Sequence, residues 1–142
     1  MQSKRYARLK IYSDGASRGN PGSAAIAVKI LDENGFEVKT FSKFLGTRTN
    51  NEAEYEALIT ALTLASPLSE GYVDCFLDSE LVVKQLNGEY KVKSPRLEDL
   101  WLRVCRLQRH FKQVTFRHVA RMDKNIREVD EQANRVLDET LG

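Results

Sequence analysis

A chain of 142 residues has the length of one domain, and residues 1–142 are read as one. Roughly 68–70% of the unfolded surface is buried at this size, so a core forms without disulfides or metal. Hydrophobic residues are 42% and charged residues 30%, the balance of a soluble globular protein, and no apolar run nears the about 18 residues of a membrane span. Met1 to Lys10 carries four basic residues and no apolar stretch, so it does not read as a secretory signal. The expected location is the cytoplasm.

Taken in chain order, Tyr6 to Ser13 alternates as a strand and stops at Asp14-Gly15. Ser17 to Gly22 is dense in turn formers. Ala24 to Leu31 reads as a second strand, closed by Asp32-Glu33-Asn34-Gly35, and Phe36 to Leu45 as a third. The period then changes. Asn51 to Ala65 is helical, with Pro67 beyond its end. Tyr72 to Leu77 is a short apolar strand, and Ser79 to Leu86 a helix closed by Asn87-Gly88. Pro95 to Phe111 is an amphipathic helix containing Trp101, Gln113 to Val119 a fifth strand, and Asn125 to Leu141 a terminal helix. The order βββαβααβα predicts an α/β fold. Three antiparallel strands lead into parallel ones, giving a mixed five-stranded sheet with helices on its faces.

Cys75 and Cys105 sit among apolar residues and read as two small buried thiols; a bridge between them requires a fold that brings them together. The net charge of +2 is unevenly spread. From Lys84 to Arg127 there are twelve Lys/Arg and four acids, which marks a candidate phosphate-binding surface, or simply a solvated helix face.

Four carboxylates stand where acids are costly. In the first helix, stepping from Glu54 meets Leu58, Ala61, Leu62 and Ala65, so Glu54 points to the core while Glu52 and Glu56 read as surface residues. In the last helix Asp130 shares its stripe with Ile126, Ala133 and Leu137. Asp14 and Asp78 end the first and fourth strands, which as parallel neighbours would place both at one sheet edge, where open α/β sheets bind ligands. Other readings exist: Asp14 as a turn residue, Asp78 as a helix cap, Glu54 and Asp130 as buried ion-pair partners. Four converging acids repel one another unless a cation lies among them. A set of oxygens alone suits Mg2+ or Mn2+ rather than Zn2+.

The stretches Tyr12-Ser13-Asp14-Gly15-Ala16-Ser17-Arg18-Gly19-Asn20-Pro21-Gly22, Thr49-Asn50-Asn51-Glu52-Ala53-Glu54-Tyr55, Asp78-Ser79-Glu80 to Gly88, and Asn125 with Asp130 to Asn134 occur in order over nearly the whole chain. Together they resemble the type 1 ribonuclease H family, particularly its compact bacterial and archaeal forms. The resemblance implies the ribonuclease H-like fold. It also implies endonucleolytic hydrolysis of the RNA strand of an RNA/DNA hybrid, with two Mg2+ or Mn2+ ions and 5′-phosphate and 3′-hydroxyl products. Two ions about 3.5–4 Å apart activate water and stabilise the leaving oxygen of an in-line displacement. The family's metal-binding carboxylates fall on Asp14, Glu54, Asp78 and Asp130.

Asn20, Asn50 and Asn51 match positions near the hybrid's minor groove, where 2′-hydroxyls distinguish RNA from DNA. Ser17 and Arg18 are further backbone contacts on the same resemblance. Glu80 departs from a glutamine common in the family. A basic insertion before the Trp-bearing helix is missing, leaving Lys84, Lys91, Lys93 and Arg96 as candidate phosphate contacts. The family's mobile His after the fifth strand, which assists proton transfer or product release, has two candidate replacements, His118 and Arg121.

The alternatives are a non-catalytic module binding hybrids or double-stranded RNA, an enzyme acting on other duplexes, and a small-molecule phosphohydrolase. The expected partner is the nucleic acid alone, with no membrane and no obligate protein subunit, on a monomer.

Overall fold

Alternation of buried Leu9, Ile11 and Ser13 with more exposed neighbours in β1, and an apolar run in β2, mark the first two of three N-terminal strands: β1 (Arg8–Gly19), β2 (Gly22–Asp32) and β3 (Glu37–Arg48). They pair antiparallel in a meander. In this computed structural model residues 6–142 are described; Lys4 and Arg5, two of the basic residues at the N-terminus, lie outside them. The free edge of β1 pairs parallel with β4 (Tyr72–Leu77), which in turn pairs parallel with β5 (Gln113–His118). The sheet order is β3-β2-β1-β4-β5. Helices α1 (Asn50–Ala65), α2 (Glu80–Leu86), α3 (Pro95–Gln108) and α4 (Lys124–Leu141) complete the expected order.

Both sheet faces are used. Leu9, Ile11, Val73, Cys75 and Leu77 point to one side, where α1 brings Leu58 and Leu62 and α3 brings Leu100 and Val104. Ala25 and Ala27 point to the other, under Ile126, Val129, Ala133 and Leu137 of α4. Small residues on β2 let α4 lie close. Cys75 is buried, Cys105 half-buried, and both are free thiols, so no bridge joins them.

Three expectations are corrected. β1 does not stop at Asp14. Its ladder with β4 ends at Tyr12↔Phe76, but pairing with β2 runs on to Gly19↔Gly22, leaving only Asn20-Pro21 to turn the chain. α3 ends at Gln108, and Phe111 is buried from the following turn rather than from the helix. Glu52 and Glu56, read as surface residues, are half-buried and paired. Glu52 accepts from Arg96 Nε at 2.9 Å, and Glu56 from Arg48 Nε at 2.5 Å.

The start of α1 is fixed by a capping box. Thr49 Oγ1 accepts from the Glu52 amide at 3.2 Å, and Glu52 Oε1 accepts from the Thr49 amide at 2.8 Å. Each bond satisfies a backbone donor that a helix start leaves open. Thr49→Ala is expected to cost about 1 kcal/mol of stability and Thr49→Ser only a fraction of that; urea unfolding midpoints of the two variants check this.

Candidate active site

Strand register sets the first two acids side by side. Tyr12 and Phe76 are the last paired residues of β1 and β4. Two residues further along each strand stand Asp14 and Asp78, on the same side of the sheet as that pair. Asp78 is free to face the cleft because the cap of α2 is Ser79, whose hydroxyl accepts from the Val82 amide at 3.3 Å. This disposes of Asp78 as a helix cap.

Glu54 comes from the first turn of α1, and Gly15 brings it within reach. A Cβ at Gly15 would lie 2.2 Å from the Ala53 carbonyl carbon, so only glycine lets the helix approach β1 this closely. The Gly15 amide then donates to Glu54 Oε1 at 2.8 Å. Asp130 is supplied by α4. Asn134, one turn on, donates from Nδ2 to the Asp130 backbone carbonyl at 3.0 Å and toward its Oδ1 at 3.4 Å.

Asp14, Glu54 and Asp78 each offer a carboxylate oxygen, and these lie within 4.8 Å of one another. With Asp130 they line a cleft of about 350 Å³ that also includes Ser17, Asn50, Asn51, Ser79 and Arg121. Asp14 is only 4% exposed, and its Oδ2 has no hydrogen-bond partner among the described residues. Burial pushes the Asp14 carboxyl well above the usual range, and the charges of Glu54, Asp78 and Asp130 push it further. Burial also raises Glu54; the Gly15 amide opposes this, and Asp78 and Asp130 add to it. Neither Glu54 nor Asp130 forms an ion pair among the described residues, so neither is a buried salt-bridge partner. Buried acids without counter-charge are costly. A buried oxygen lacking a partner, facing other carboxylates, is the donor set of a hard divalent cation.

Among the described residues one cation reaches this cluster. Arg121 Nε lies 3.5 Å from Asp78 Oδ2, on a side chain 86% exposed. His118 ends β5 opposite Leu77, exposed and outside the cleft lining. Of the two expected auxiliary residues, only Arg121 is at the site.

The remaining expected contacts divide. Ser17 lines the cleft and donates to the Arg48 carbonyl at 2.8 Å. Asn50 and Asn51 line it too, and Asn20 Oδ1 accepts from the Asn50 amide at 2.9 Å, tying the β1–β2 turn to the start of α1. Arg18 is engaged elsewhere, with Asp138 at 2.6 Å and the Asn134 carbonyl at 3.3 Å. Lys84, Lys91, Lys93 and Arg96 stand away from the cleft. Lys84 lies over the Tyr90 ring, Lys91 and Lys93 line a groove with Leu81 and Leu97, and Arg96 binds Glu52. Two contributors were missed from sequence. Ser79 lines the cleft. Asn134 steadies Asp130 from position i+4, a spacing that helical phase could have flagged.

The chain is similar to known proteins over most of its length. Residues 12–136 match the family model described as reverse transcriptase-like. The chain is 37% identical over 139 residues to ribonuclease HI of Halobacterium salinarum, spanning 98% of this chain and 69% of that one. A crystal structure of RNase H1 from the same archaeon superposes with a TM-score of 0.87 at 36% identity, covering 93% of this chain and 98% of that one. The structure of LC11-RNase H1 in complex with an RNA/DNA hybrid gives 0.86 at 37% identity, with coverage of 94% and 99%. Mycobacterial relatives, 36% identical over 115 residues, are longer, and the chain spans 32% of their length. The sheet with its carboxylate cleft thus defines a protein of the ribonuclease H fold. The chain belongs to the type 1 ribonuclease H family of enzymes.

The crowded acids predict a stability cost. Asp14→Asn removes a buried carboxyl that must either carry its charge unpaired or take up a proton on folding, so its Tm is expected to exceed that of the wild type by several degrees at pH 8 without divalent metal. A carboxyl raised in the folded state binds more protons there than in the unfolded chain, so its contribution to stability falls as pH rises. The Tm gain of Asp14→Asn should therefore shrink as pH is lowered from 8 to 5, which scanning calorimetry across that range measures.

Proposed function

We propose that the protein hydrolyses the RNA strand of RNA/DNA hybrids endonucleolytically, leaving 5′-phosphate and 3′-hydroxyl ends. Asp14, Glu54, Asp78 and Asp130 are its catalytic residues and would hold two divalent cations, Mg2+ or Mn2+. The observation that carries this reading is the convergence of three carboxylates within 4.8 Å, one of them with a buried oxygen lacking a partner. The solved relative bound to an RNA/DNA hybrid supports the substrate.

When bound, the divalent cations supply activation of the attacking water and stabilisation of the leaving 3′ oxygen. The protein's own groups fix the geometry. The Gly15 amide orients Glu54, and Asn134 orients Asp130. Asn50, Asn51 and Ser17 face the cleft from the side of α1, where they would read 2′-hydroxyls; Asn20 holds that edge in place. Arg121 carries an exposed guanidinium on a loop beside Asp78, where it would meet a phosphate and assist release of the product. Lys84, Lys91, Lys93 and Arg96 would serve the strand further from the cleft, through phosphates alone. A module that only binds nucleic acid has no use for buried, mutually repelling acids, and this weighs against the second reading.

Cleavage of a 5′-labelled RNA/DNA hybrid, with and without Mg2+ or Mn2+, is the test. RNA-strand cuts are expected only with metal, and Asp14→Asn and Glu54→Gln should each lose more than about a hundredfold in rate. Glu52→Gln should stay within about twofold, because glutamine still accepts from the Thr49 amide. An uncut hybrid that still binds would make the protein a reader of hybrids.

Hybrid affinity should also fall by orders of magnitude between about 50 and 200 mM salt, as counterions are released. Titration by fluorescence anisotropy at both salt concentrations measures it. An affinity that ignores salt would remove the basic residues from the interface.

A further inference from the structure

One side of the sheet is only half covered. α4 packs on β1, β2 and β3. Among the described residues the same side of β4 and β5 is left open, with Tyr72 37% exposed, Arg117 exposed and Phe76 half-buried. Strand alternation places Tyr12, Tyr72 and Phe76 on this side, opposite the core-facing Ile11, Val73 and Cys75. Tyr12 and Phe76 stack with ring centroids 4.8 Å apart and planes inclined at 18°. Arg8 and Lys10 come to the same side from β1, and Arg117 stands beside Phe76 on β5.

The cations of this face, Arg8, Lys10, Lys112 and Arg117, outnumber its acids, with Asp123 near Tyr12 at the border with α4. Its one acid on β4, Asp74, is already engaged by Arg8 at 2.7 Å and by the Thr115 hydroxyl at 2.8 Å. Arg8 also lies 4.9 Å from the centre of the Tyr72 ring, and Lys112 Nζ lies 5.9 Å from it. Flat aromatic rings interleaved with cations on adjacent strands are the chemistry that binds unpaired nucleotides: bases stack on rings, and phosphates meet the charges. An acidic peptide would use the cations and leave the ring faces idle. The position points the same way. The strands carrying Tyr12 and Phe76 reach Asp14 and Asp78 two residues later, so this surface runs into the carboxylate cleft.

We propose that the open face of β1, β4 and β5 binds single-stranded nucleic acid continuing from the cleft. Bases stack on Phe76 and Tyr72, and phosphates meet Lys10, Arg117 and Lys112. The nuclease reading enters only in what occupies the cleft; the face itself is defined by its own rings and charges.

The test is fluorescence anisotropy of a 5′-fluorescein-labelled 12-nucleotide single-stranded RNA, in buffer without divalent metal. Phe76→Leu keeps the apolar volume and removes the ring, and is expected to weaken binding about tenfold, the worth of one base–aromatic stack. Arg117→Ala, at an exposed position whose side chain makes no hydrogen bond or ion pair among the described residues, should weaken it severalfold and serves even if Phe76→Leu unfolds. In both variants a hybrid bearing a single-stranded RNA overhang should lose its affinity advantage over a blunt hybrid. Unchanged affinity in the folded variants overturns the proposal. So does RNA binding that Phe76→Leu leaves unchanged and that a 12-residue poly-glutamate peptide displaces, which would make the face a dock for acidic peptides. Single-strand binding that needs Phe76 in a protein that cuts no hybrid would overturn the nuclease reading alone. Hybrid cleavage without such binding would overturn this one alone.

Discussion

The approach of α1 to β1 at Gly15 is the constraint on which the site depends. Glu54 is carried on a helix, Asp14 and Asp78 on strands. The three meet only if the helix backbone touches the strand backbone where a side chain would otherwise stand. The same contact supplies the Gly15 amide that fixes Glu54. The rest of the α1 start is arranged to hold that approach. The Thr49–Glu52 box sets where the helix begins, Arg96 of α3 and Arg48 of β3 bind acids on its outer side, and Asn20 reaches across from the β1–β2 turn. Glu52 and Glu56 therefore serve to place Glu54, although they share neither its burial nor its chemistry.

That placement works against electrostatics. Burial and mutual repulsion both raise Asp14 and Glu54, and both are conditions that folding alone would avoid. The scaffold tolerates them because the acids are anchored on separate elements, each with its own core behind it. Leu9 and Ile11 bury β1, Leu58 and Leu62 bury α1, and Ile126 and Ala133 bury α4. No single element has to absorb the whole cost. At Asp14 and Glu54 the proposed chemistry would therefore stand opposed to stability, a common condition of preorganised sites.

Much of this was legible in the sequence because it is local. Helical phase separates Glu54 from Glu52 and Glu56 by the residues one turn away, and the two strand ends are marked by where apolar alternation stops. Parallel pairing of strands joined through helices then brings Asp14 beside Asp78. What was not legible depends on partners far along the chain. Arg18 meets Asp138, Arg96 meets Glu52, and Lys29 meets Glu128. No periodicity encodes such pairs. The run of β1 past Asp14 was hidden for a related reason. Asp14-Gly15 and Ser17 onward look like turn formers, yet the chain stays in the strand because β2 satisfies its backbone as far as Gly19, while α1 leaves no room for a side chain at Gly15.

The basic block between Lys84 and Arg127 shows how composition misleads when it is read as one surface. Its residues scatter over different parts of the fold. Lys91 and Lys93 border the groove with Leu81 and Leu97, Arg121 touches the cleft, and Arg117 and Lys112 lie toward the open side of β4 and β5. A single count of charges therefore covers groups with different tasks. A duplex engages one continuous surface, whereas an unpaired strand can turn at the cleft and follow another. Cations on both sides of the carboxylates are what a nuclease needs if its substrate is a duplex where it is cut and a single strand beyond.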